Sequence, residues 1–229
     1  MLKVKSRFRA IIFDMDGVIV DSMPYHYLAW YEALMPYGIR VSCFDVYSKE
    51  GERWEKTLRE LFLRSGIKVS DKLFKKIFLS RKKIFRKYFK RFIFPGAQEF
   101  LVCLKNKGYL LGLVTGTPEA EIKKILPSSI KVLFDCIIAG DKVKKGKPDP
   151  EPYLRAAKAL KTKAGLCAVV ENAPLGIESA KRAGMFCIAL TTSLPRQYLS
   201  RADALADRLD EITAAVDKSC VLKRKRLNL

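Results

Sequence analysis

Apolar runs and amphipathic segments alternate through the second half of the chain. After Phe94-Pro95-Gly96, short apolar runs predict strands at about 109–115, 135–139, 166–171 and 185–191. Helical spacing of apolar residues between the runs predicts helices at about 96–107, 118–126, 150–161 and 174–183, with a weak strand and helix at about 203–217. Alternation of strand and helix predicts a parallel sheet covered by helices on both faces.

An earlier apolar run, Phe8-Arg9-Ala10-Ile11-Ile12-Phe13, predicts the first strand of that sheet. Between this run and Pro95 the pattern is helical only, with helices expected at about 23–37, 43–49, 52–65 and 71–92. An insert joined to a core by two crossings suits hinge closure. The sequence therefore predicts an α/β protein with a doubly wound parallel sheet, made of a core at 1–20 and 95–229 and an all-helical insert at 21–94.

Composition narrows the class of protein. The 229 residues are 49% hydrophobic, which is enough for one substantial core and a smaller appended unit. No apolar run approaches the ~20 residues of a membrane helix, and the run at 10–13 is too short for a signal peptide. The six cysteines are scattered without a C-x-x-C motif, so we expect free thiols, a cytoplasmic location, no membrane partner and a monomer.

The formal net charge of +20 suits an anionic substrate, although a phosphate pocket needs only a few of those charges. Much of the excess lies between Lys68 and Arg91, where aromatic and apolar residues recur at helical spacing. This pattern predicts an amphipathic helix with its aromatics, Phe92 included, facing inward. Nucleic-acid binding favours aromatics exposed among basic groups, so we expect a solvated basic face and no nucleic-acid partner. The tail Lys223–Arg226 is interpreted as a solvated end that could bind a polyanion weakly.

Two carboxylates, Asp14 and Asp16, stand at i and i+2 where the first strand is predicted to end. In extended backbone this spacing places both side chains on one side, and Gly17 lets the chain turn sharply. At ~4 Å and an effective dielectric of ~20 their repulsion is of order 4 kcal/mol. Such a pair needs a cation or a proton nearby, whereas the alternative interpretation is an ordinary helix cap or turn.

Three later motifs lie at or near the ends of other predicted strands. Thr115-Gly116-Thr117 follows one strand, Lys147 lies in a loop ahead of Pro148, and Glu171-Asn172 follows another strand. Ligands of parallel sheets bind at the carboxyl ends of the strands. Taken singly, Thr115 could cap a helix, Lys147 could be a solvated charge, and Glu171-Asn172 could be a plain turn.

In order along the chain, these motifs resemble the haloacid dehalogenase superfamily of phosphotransferases, from Ala10 to about Asp217. The insert at 21–94, hereafter the cap, looks like the helical cap of the phosphoglucomutase and phosphoglycolate phosphatase branch, on a Rossmann-like core. The resemblance implies that Asp14 is the nucleophile and that Asp16 is the acid and base. It also implies a Mg²⁺ site and a phosphoryl-binding set. The metal would be held or oriented by Asp14, Asp16, Glu171 and Asn172, and the phosphoryl group by Thr115, Gly116, Thr117 and Lys147.

One departure from the family pattern concerns the metal. Many relatives carry two acids at the fourth motif, whereas here Glu171 is followed by the neutral Asn172. An amide oxygen can still ligate a hard cation, but it brings less charge. The sequence leaves open which of the two residues contacts the metal.

The cap contributes candidate substrate contacts. Tyr25–Trp30 resembles the first cap helix of beta-phosphoglucomutase, and this similarity implies that His26, the chain's single histidine, faces the active site. The alternative is a packed or solvated histidine. Arg53 and either Lys82 or Lys83 are candidates for contacting a distal anionic group.

Several functions compete for this motif set. A Mg²⁺-dependent phosphatase of a small phosphorylated metabolite is the first interpretation, and a sugar-phosphate mutase with the same nucleophile is the second. Dehalogenation is disfavoured because it does not need an acid and base such as Asp16. A phosphonatase would need a cap lysine that forms a Schiff base, and none of the cap lysines lies in a recognisable motif. A non-catalytic polyanion-binding protein would bind nucleic acid with an affinity that falls steeply with salt, and the substitution Asp14→Asn would leave that affinity unchanged.

Overall fold

A computed structural model describes residues 7–67, 70–212 and 216. Its centre is a six-stranded, fully parallel sheet in the order β3-β2-β1-β4-β5-β6. The strands are β1 (Ala10–Asp14), β2 (Leu110–Val114), β3 (Cys136–Ile138), β4 (Cys167–Glu171), β5 (Phe186–Leu190) and β6 (Ala204–Ala206). The predicted α/β fold class with a parallel sheet is confirmed.

The sheet is buried on both faces because its strands are almost entirely apolar. Along β1, Ile11 and Phe13 pack into one hydrophobic cluster, while Ala10 and Ile12 pack into the other. This alternation follows from the two-residue repeat of a strand. The flanking helices are α5 (Ala97–Asn106), α6 (Glu119–Ile125), α7 (Ser128–Lys131), α8 (Glu151–Ala159) and α9 (Pro174–Arg182).

Four helices form the cap between β1 and α5: α1 (Met23–Leu34), α2 (Cys43–Tyr47), α3 (Trp54–Arg64) and α4 (Asp71–Tyr88). They share a hydrophobic cluster of their own, centred on Leu34, Leu58 and Ile77. The two crossings lie side by side, since the Asp21 amide donates to the Phe92 carbonyl at 2.9 Å. The division into a core at 1–20 and 95–229 and a cap at 21–94 stays a proposal, which the separate cluster supports.

Helix ends differ from the predicted ones for local reasons. The helix predicted at 118–126 ends at Ile125, and a further short helix, α7, follows. Leu126 is extended, with φ −98° and ψ 124°, because a residue that precedes a proline avoids helical backbone. The helix predicted to reach 217 is a 3₁₀ turn at Leu209–Ile212, and most residues beyond it lie outside the described part of the chain.

The basic helix α4 buries Phe74, Ile77 and Phe85, as its pattern predicts. The helix ends at Tyr88, so the expectation that Phe92 faces inward is wrong, and this side chain is 52% exposed. Past the helix end, the helical repeat no longer dictates which side chains face the core. The tail Lys223–Arg226 lies outside the described residues.

The expectation of free thiols is wrong at Cys103, which is disulfide-bonded. The positions of cysteines along the sequence do not show which of them lie close together in the fold, so this disulfide bond could not be predicted from the sequence. Other cysteines are free, namely Cys43, Cys136, Cys167 and Cys187. Among the described residues, no helix has the length and apolar character needed to cross a membrane.

Candidate active site

The sheet brings three predicted site residues to one edge. Strand β1 lies between β2 and β4, and Asp14 is in register with Val114, the residue before Thr115. Glu171 is the last residue of β4. Because all three strands are parallel, their carboxyl ends meet, and Asp14, Thr115 and Glu171 are buried there together.

Lys147 reaches the same edge from the loop before α8. Its Nζ lies 2.5 Å from Asp14 Oδ1 and 2.6 Å from Glu171 Oε1, and the side chain is buried. The Tyr153 hydroxyl donates to the same Glu171 oxygen. Tyr153 was not predicted because a tyrosine inside an amphipathic helix reads as a core residue. Lys147 is therefore a buried ion-pair partner of two carboxylates and not a solvated charge.

Burial and charge move the pKa values of this cluster in definite directions. Burial raises the pKa of the Asp14 carboxyl well above its usual value, and the Lys147 ammonium only partly opposes this effect. Burial alone would lower the pKa of Lys147, but Asp14 and Glu171 outweigh it and raise that pKa. Lys147 thus stays charged at neutral pH and supplies a fixed positive charge beside Asp14.

Asp16 has a different set of partners. Its Oδ1 accepts a hydrogen bond from Ser22 Oγ at 2.6 Å and lies 3.3 Å from His26 Nε2. Its Oδ2 accepts from the Thr115 hydroxyl at 3.2 Å and the Thr117 hydroxyl at 3.3 Å. Burial alone would raise the pKa of Asp16, but the contacts with His26, Ser22 and Thr115 outweigh burial and lower it.

The turn after Asp16 depends on Gly17, whose φ is +84°. A Cβ atom at this position would come within 2.0 Å of Asn172 Nδ2, so the backbone and the neighbouring side chain both require glycine. The prediction that Gly17 permits a sharp turn is confirmed. Thr115 is not a helix cap, since α6 begins at Glu119 without a side-chain cap.

His26 lies on cap helix α1, but its ring reaches into the core site. It is buried and stacks on Phe85 with ring centroids 4.5 Å apart. Arg81 of α4 places Nη2 at 2.5 Å from His26 Nδ1, and its guanidinium lies over the Trp30 ring at 5.2 Å. A guanidinium can only donate, so Nδ1 accepts and Nε2 carries the proton shared with Asp16. Arg81 was not predicted because it is one of many basic residues on α4.

Two buried oxygens at this edge have no hydrogen-bond partner among the described residues: Asp14 Oδ2 and Asn172 Oδ1. The Asn172 amide is oriented by the Ser193 hydroxyl, which accepts from Nδ2 at 2.8 Å. By contrast, Glu171 Oε1 is occupied by Lys147 and Tyr153. In the described chain no three His, Cys, Asp or Glu side chains converge as a metal centre on their own. A carboxylate oxygen plus an amide oxygen nevertheless fits a hard cation such as Mg²⁺.

A cavity of about 330 Å³ opens between the cap and the core above these residues. Thr115, Gly116, Thr117 and Lys147 line its core side, and His26, Arg53 and Lys82 line its cap side. Arg53 is largely exposed, and its Nη2 donates to the Val143 carbonyl at 2.8 Å. Lys83 is exposed and is not part of the lining, so of the two alternative lysines the structure favours Lys82.

A cap loop closes directly onto the core at Gly51. Its φ is +77°, and a Cβ atom there would lie 2.3 Å from Lys147 Cδ. A Cβ atom on Gly116 would in turn lie 3.2 Å from the Gly51 Cα. The neighbouring Glu50 lines the cavity. This contact was not predicted, because two glycines far apart in sequence give no sign that their backbones touch.

Comparisons with known proteins agree with this geometry. A family model described as haloacid dehalogenase-like hydrolase matches residues 8–184. The chain is 33% identical over 186 residues to the phosphorylated carbohydrates phosphatase of Thermotoga maritima, covering 77% of this chain and 82% of that one. It is 29% identical to the beta-phosphoglucomutase of Bacillus subtilis, covering 90% and 92% of the two chains.

Among solved structures, a beta-phosphoglucomutase from Clostridium difficile superposes with a TM-score of 0.78 at 26% identity, covering 90% of this chain and 93% of that chain. The matched family model spans most of the chain and includes both the cap and the motifs at the strand ends. The protein therefore belongs to the haloacid dehalogenase-like hydrolases.

Proposed function

We propose that the protein is a Mg²⁺-dependent phosphatase that hydrolyses a small phosphorylated metabolite, such as a sugar phosphate, through an aspartyl-phosphate on Asp14. The observation that carries the proposal is the position of Asp14. One of its oxygens is held by the Lys147 ammonium, and the other is buried without a partner among the described residues. A carboxylate held in this way is oriented for attack on a phosphorus atom.

Asp14 and Asp16 divide the chemistry between them. An Asp14 oxygen forms the bond to phosphorus as the bond to the leaving alcohol oxygen breaks, and protonated Asp16 gives that oxygen its proton. In the second half, Asp16 as carboxylate takes a proton from the attacking water, and phosphate leaves Asp14. The contacts of Asp16 with Thr115 and Thr117 hold it beside the reacting group.

The charge of the transferring phosphoryl group needs donors that are already in place. We assign this role to Lys147, to the hydroxyls of Thr115 and Thr117, and to the Gly116 amide. These groups line the core side of the cavity, and Thr115 and Lys147 are buried there, which strengthens electrostatic stabilisation. His26 and Arg53 are assigned to substrate binding on the cap side.

Magnesium would be held by the Asp14 carboxylate and by Asn172 through its unpartnered oxygen, with the Asp16 backbone carbonyl and Glu171 as further or orienting groups. When bound, the ion neutralises charge on the phosphoryl oxygens. Since Glu171 Oε1 already accepts from two donors, the structure favours Asn172 over Glu171 as the direct ligand.

A phosphosugar mutase is the second candidate, because relatives with that name cover nearly the whole chain. Phosphatase and mutase share the nucleophile and differ in whether water or a second sugar hydroxyl accepts the phosphoryl group. Robust conversion of beta-glucose 1-phosphate to glucose 6-phosphate, faster than release of inorganic phosphate, would favour the mutase. Cytoplasmic location and a monomeric state stay predictions from the sequence.

The proposed activity is tested by phosphate release from p-nitrophenyl phosphate with and without Mg²⁺. We expect turnover that depends on Mg²⁺ and is abolished by Asp14→Asn. Ser193→Ala is an informative companion, because it removes the group that orients Asn172 and should weaken Mg²⁺ binding measured by titration calorimetry. Undiminished turnover in EDTA, or in Asp14→Asn, would contradict the proposal.

A further inference from the structure

Aromatic side chains of the cap form part of the cavity wall. Trp54 and Phe78 are stacked with ring centroids 3.7 Å apart and an interplanar angle of 9°, and both are half-buried. Trp30 and Phe85 line the same cavity but are almost fully buried. Trp54 also packs on Phe74, and Lys82 Nζ lies 5.7 Å from the Phe78 ring centroid. The remaining half-exposed part of the Trp54–Phe78 pair is the aromatic surface that the cap leaves available inside the cavity.

Every lysine or arginine that lines the cavity contacts an acceptor within the protein, and one further donor, the buried Arg81 Nε, has no partner among the described residues. The Arg53 guanidinium binds the Val143 carbonyl, and Arg81 binds His26. Lys82 lies 3.7 Å from Glu121, which also accepts from Arg86. The remaining two are Lys49, paired with Glu60, and Lys147, paired with Asp14 and Glu171.

Carboxylates balance these cations. Five acidic residues line the cavity, namely Glu50, Glu52, Glu55, Glu121 and Asp141. The net charge of +20 is thus carried elsewhere on the molecule. Apart from the phosphoryl-binding end at Lys147, the cavity has no surplus of positive charge among the described residues.

We infer that the substrate carries a single phosphate, and that its leaving alcohol is uncharged and contains a ring that packs against Trp54 and Phe78. This inference rests on the proposed phosphatase function and specifies its substrate class. A ring with a flat apolar face gains contact area and favourable geometry against stacked aromatics. Both a sugar ring and a heteroaromatic base offer such a face.

A second phosphate would be disfavoured in this cavity. To recruit Lys82 or Arg86, a second phosphate would have to draw them away from Glu121, and the freed Glu121 carboxylate would then repel the new anion. Glu50, on the loop that contacts Lys147 through Gly51, places a further carboxyl group near the reaction centre. The same argument disfavours a mutase, whose substrate passes through a bisphosphate.

The ring requirement is tested with two substrates of equal carbon number, glucose 6-phosphate and sorbitol 6-phosphate, with a nucleoside 5′-monophosphate as a third arm. We expect kcat/KM to be about threefold to tenfold higher for the cyclic substrates. Trp54→Leu or Phe78→Leu should remove most of that preference. Tyr198→Leu, an aromatic outside the cavity lining, is the control that should keep it. Because each comparison is a ratio within one variant, partial misfolding cancels.

The third arm distinguishes the two sources of the ring. A nucleotide used better than glucose 6-phosphate identifies a base as the stacked group, and the reverse result identifies the sugar ring. Equal kcat/KM for the ring and open-chain substrates, or an unchanged ratio in Trp54→Leu and Phe78→Leu, would overturn the inference.

The single-phosphate requirement is tested with glucose 1,6-bisphosphate. Wild-type protein should use it less efficiently than glucose 6-phosphate, and Glu121→Gln should raise the bisphosphate-to-monophosphate ratio at least about fivefold by freeing Lys82 and Arg86. Glu119→Gln is the control, because Glu119 pairs with Lys142 outside the cavity lining. A wild-type preference for the bisphosphate, or no change in Glu121→Gln, would overturn the inference.

Acetyl phosphate separates this inference from the function on which it rests. It has neither a ring nor a second phosphate, so its hydrolysis reports on the core machinery alone. If acetyl phosphate is hydrolysed but the protein prefers neither ring substrates over open-chain ones nor monophosphates over bisphosphates, only the inferred substrate class is overturned. Absence of hydrolysis of every phosphate ester and of acetyl phosphate would overturn the proposed function and the substrate class together.

Discussion

Asp14 and Asp16 are two residues apart, yet their surroundings shift their pKa values in opposite directions. Desolvation raises the pKa of Asp14, whereas contacts with His26, Ser22 and Thr115 lower the pKa of Asp16 in spite of its burial. When two neighbouring carboxyl groups have different pKa values, they can take different roles in catalysis. The lowered pKa favours the carboxylate form of Asp16, which accepts a proton from water. The negative charge of a bound phosphate raises that pKa, so that Asp16 takes up the proton that it gives to the leaving oxygen.

The low pKa of Asp16 predicts a pH-dependent contribution to stability. Because the folded pKa lies below the ordinary value of about 3.8 for an aspartate, the contribution is present above about pH 4 and is lost as the pH falls through the folded pKa. Asp16→Asn should therefore lower the free energy of unfolding by about 1–3 kcal/mol at neutral pH. Denaturant unfolding across pH should show this difference shrinking in acid.

The control for this experiment is Asp71→Asn, since that carboxylate is 91% exposed. Its effect on unfolding should be small and nearly independent of pH. A difference between wild type and Asp16→Asn that grows as the pH falls would contradict the assigned direction of the Asp16 pKa.

Arg81 is predicted to fix the tautomer of His26. With Arg81 donating to Nδ1, the imidazole should carry its proton on Nε2 and direct it toward Asp16. Nitrogen NMR is well suited to this question because the chain contains a single histidine. Arg81→Gln should change the two ring-nitrogen shifts and reduce kcat, whereas the exposed neighbour Lys83→Gln should change neither. A wild-type Nδ1–H signature would contradict the arrangement.

At the level of residues, the sequence identifies groups whose chemistry is unusual for their position. Asp14 and Glu171 stand out because charged residues beside buried strands are costly. Lys147 lies in a loop and was identified only by its place in the family motif, and the structure brings the three residues together. Arg81 and Tyr153 were missed for the opposite reason. Each has the residue type that its amphipathic helix already explains, and only the packing of one element against another reveals its contacts.

At the level of elements, the site depends on one loop of the cap that touches the core. Gly51 packs against Lys147 and Gly116, so the loop fixes how closely the cap approaches the phosphoryl-binding side of the cavity. The side-by-side crossings at Asp21 and Phe92 connect the cap to the core.

Gly51→Ala should impair the approach of the cap to the core and so reduce activity, while the protein still folds. The new methyl group would overlap the Lys147 side chain, and displacement of about 1 Å can cost about a hundredfold in rate, so we expect a loss of kcat/KM of that order. Gly38→Ala is a matched control, with a φ of +71° and no atom within 4 Å of the added carbon. Both variants should lose about 1–2 kcal/mol of stability from backbone strain. Equal activity in the two variants would contradict the role of the loop.

Element positions were largely predictable, because hydrophobic periodicity reports which face of each segment is buried. The parallel sheet was predicted from the alternation of strands and helices, and the all-helical cap from helical periodicity alone, whereas the order of the strands was not predicted. Helix ends were less predictable, as the break at Pro127 shows, because they depend on a few local backbone angles. The Gly51 contact could not be predicted, because it arises only when the cap is placed on the core.

At the level of the whole molecule, charge is distributed unevenly. The chain carries a net charge of +20, but the cavity lining is nearly balanced, and the lysines of α4 at 72, 75, 76, 83 and 87 are exposed. The large aromatic residues of this helix mostly face inward, which leaves few exposed rings for stacking on bases.

This distribution predicts that nucleic-acid binding is weak and non-specific. Fluorescence anisotropy with a labelled oligonucleotide should show binding at low ionic strength that is lost at about 150 mM salt, where charges are strongly screened. Asp14→Asn should bind in the same way as wild type. Tight binding that persists at the higher salt concentration would instead favour the polyanion-binding interpretation.

The central claim is that Asp14 becomes phosphorylated during turnover, and it can be tested by trapping that intermediate. The protein is mixed with substrate and Mg²⁺, quenched, and treated with borohydride, which reduces an acyl phosphate to an alcohol, before peptide mass spectrometry. The account predicts that the peptide containing Asp14 carries homoserine at position 14 only when substrate is present. Phosphate release without this product, or the same modification at a different carboxylate, would contradict the account.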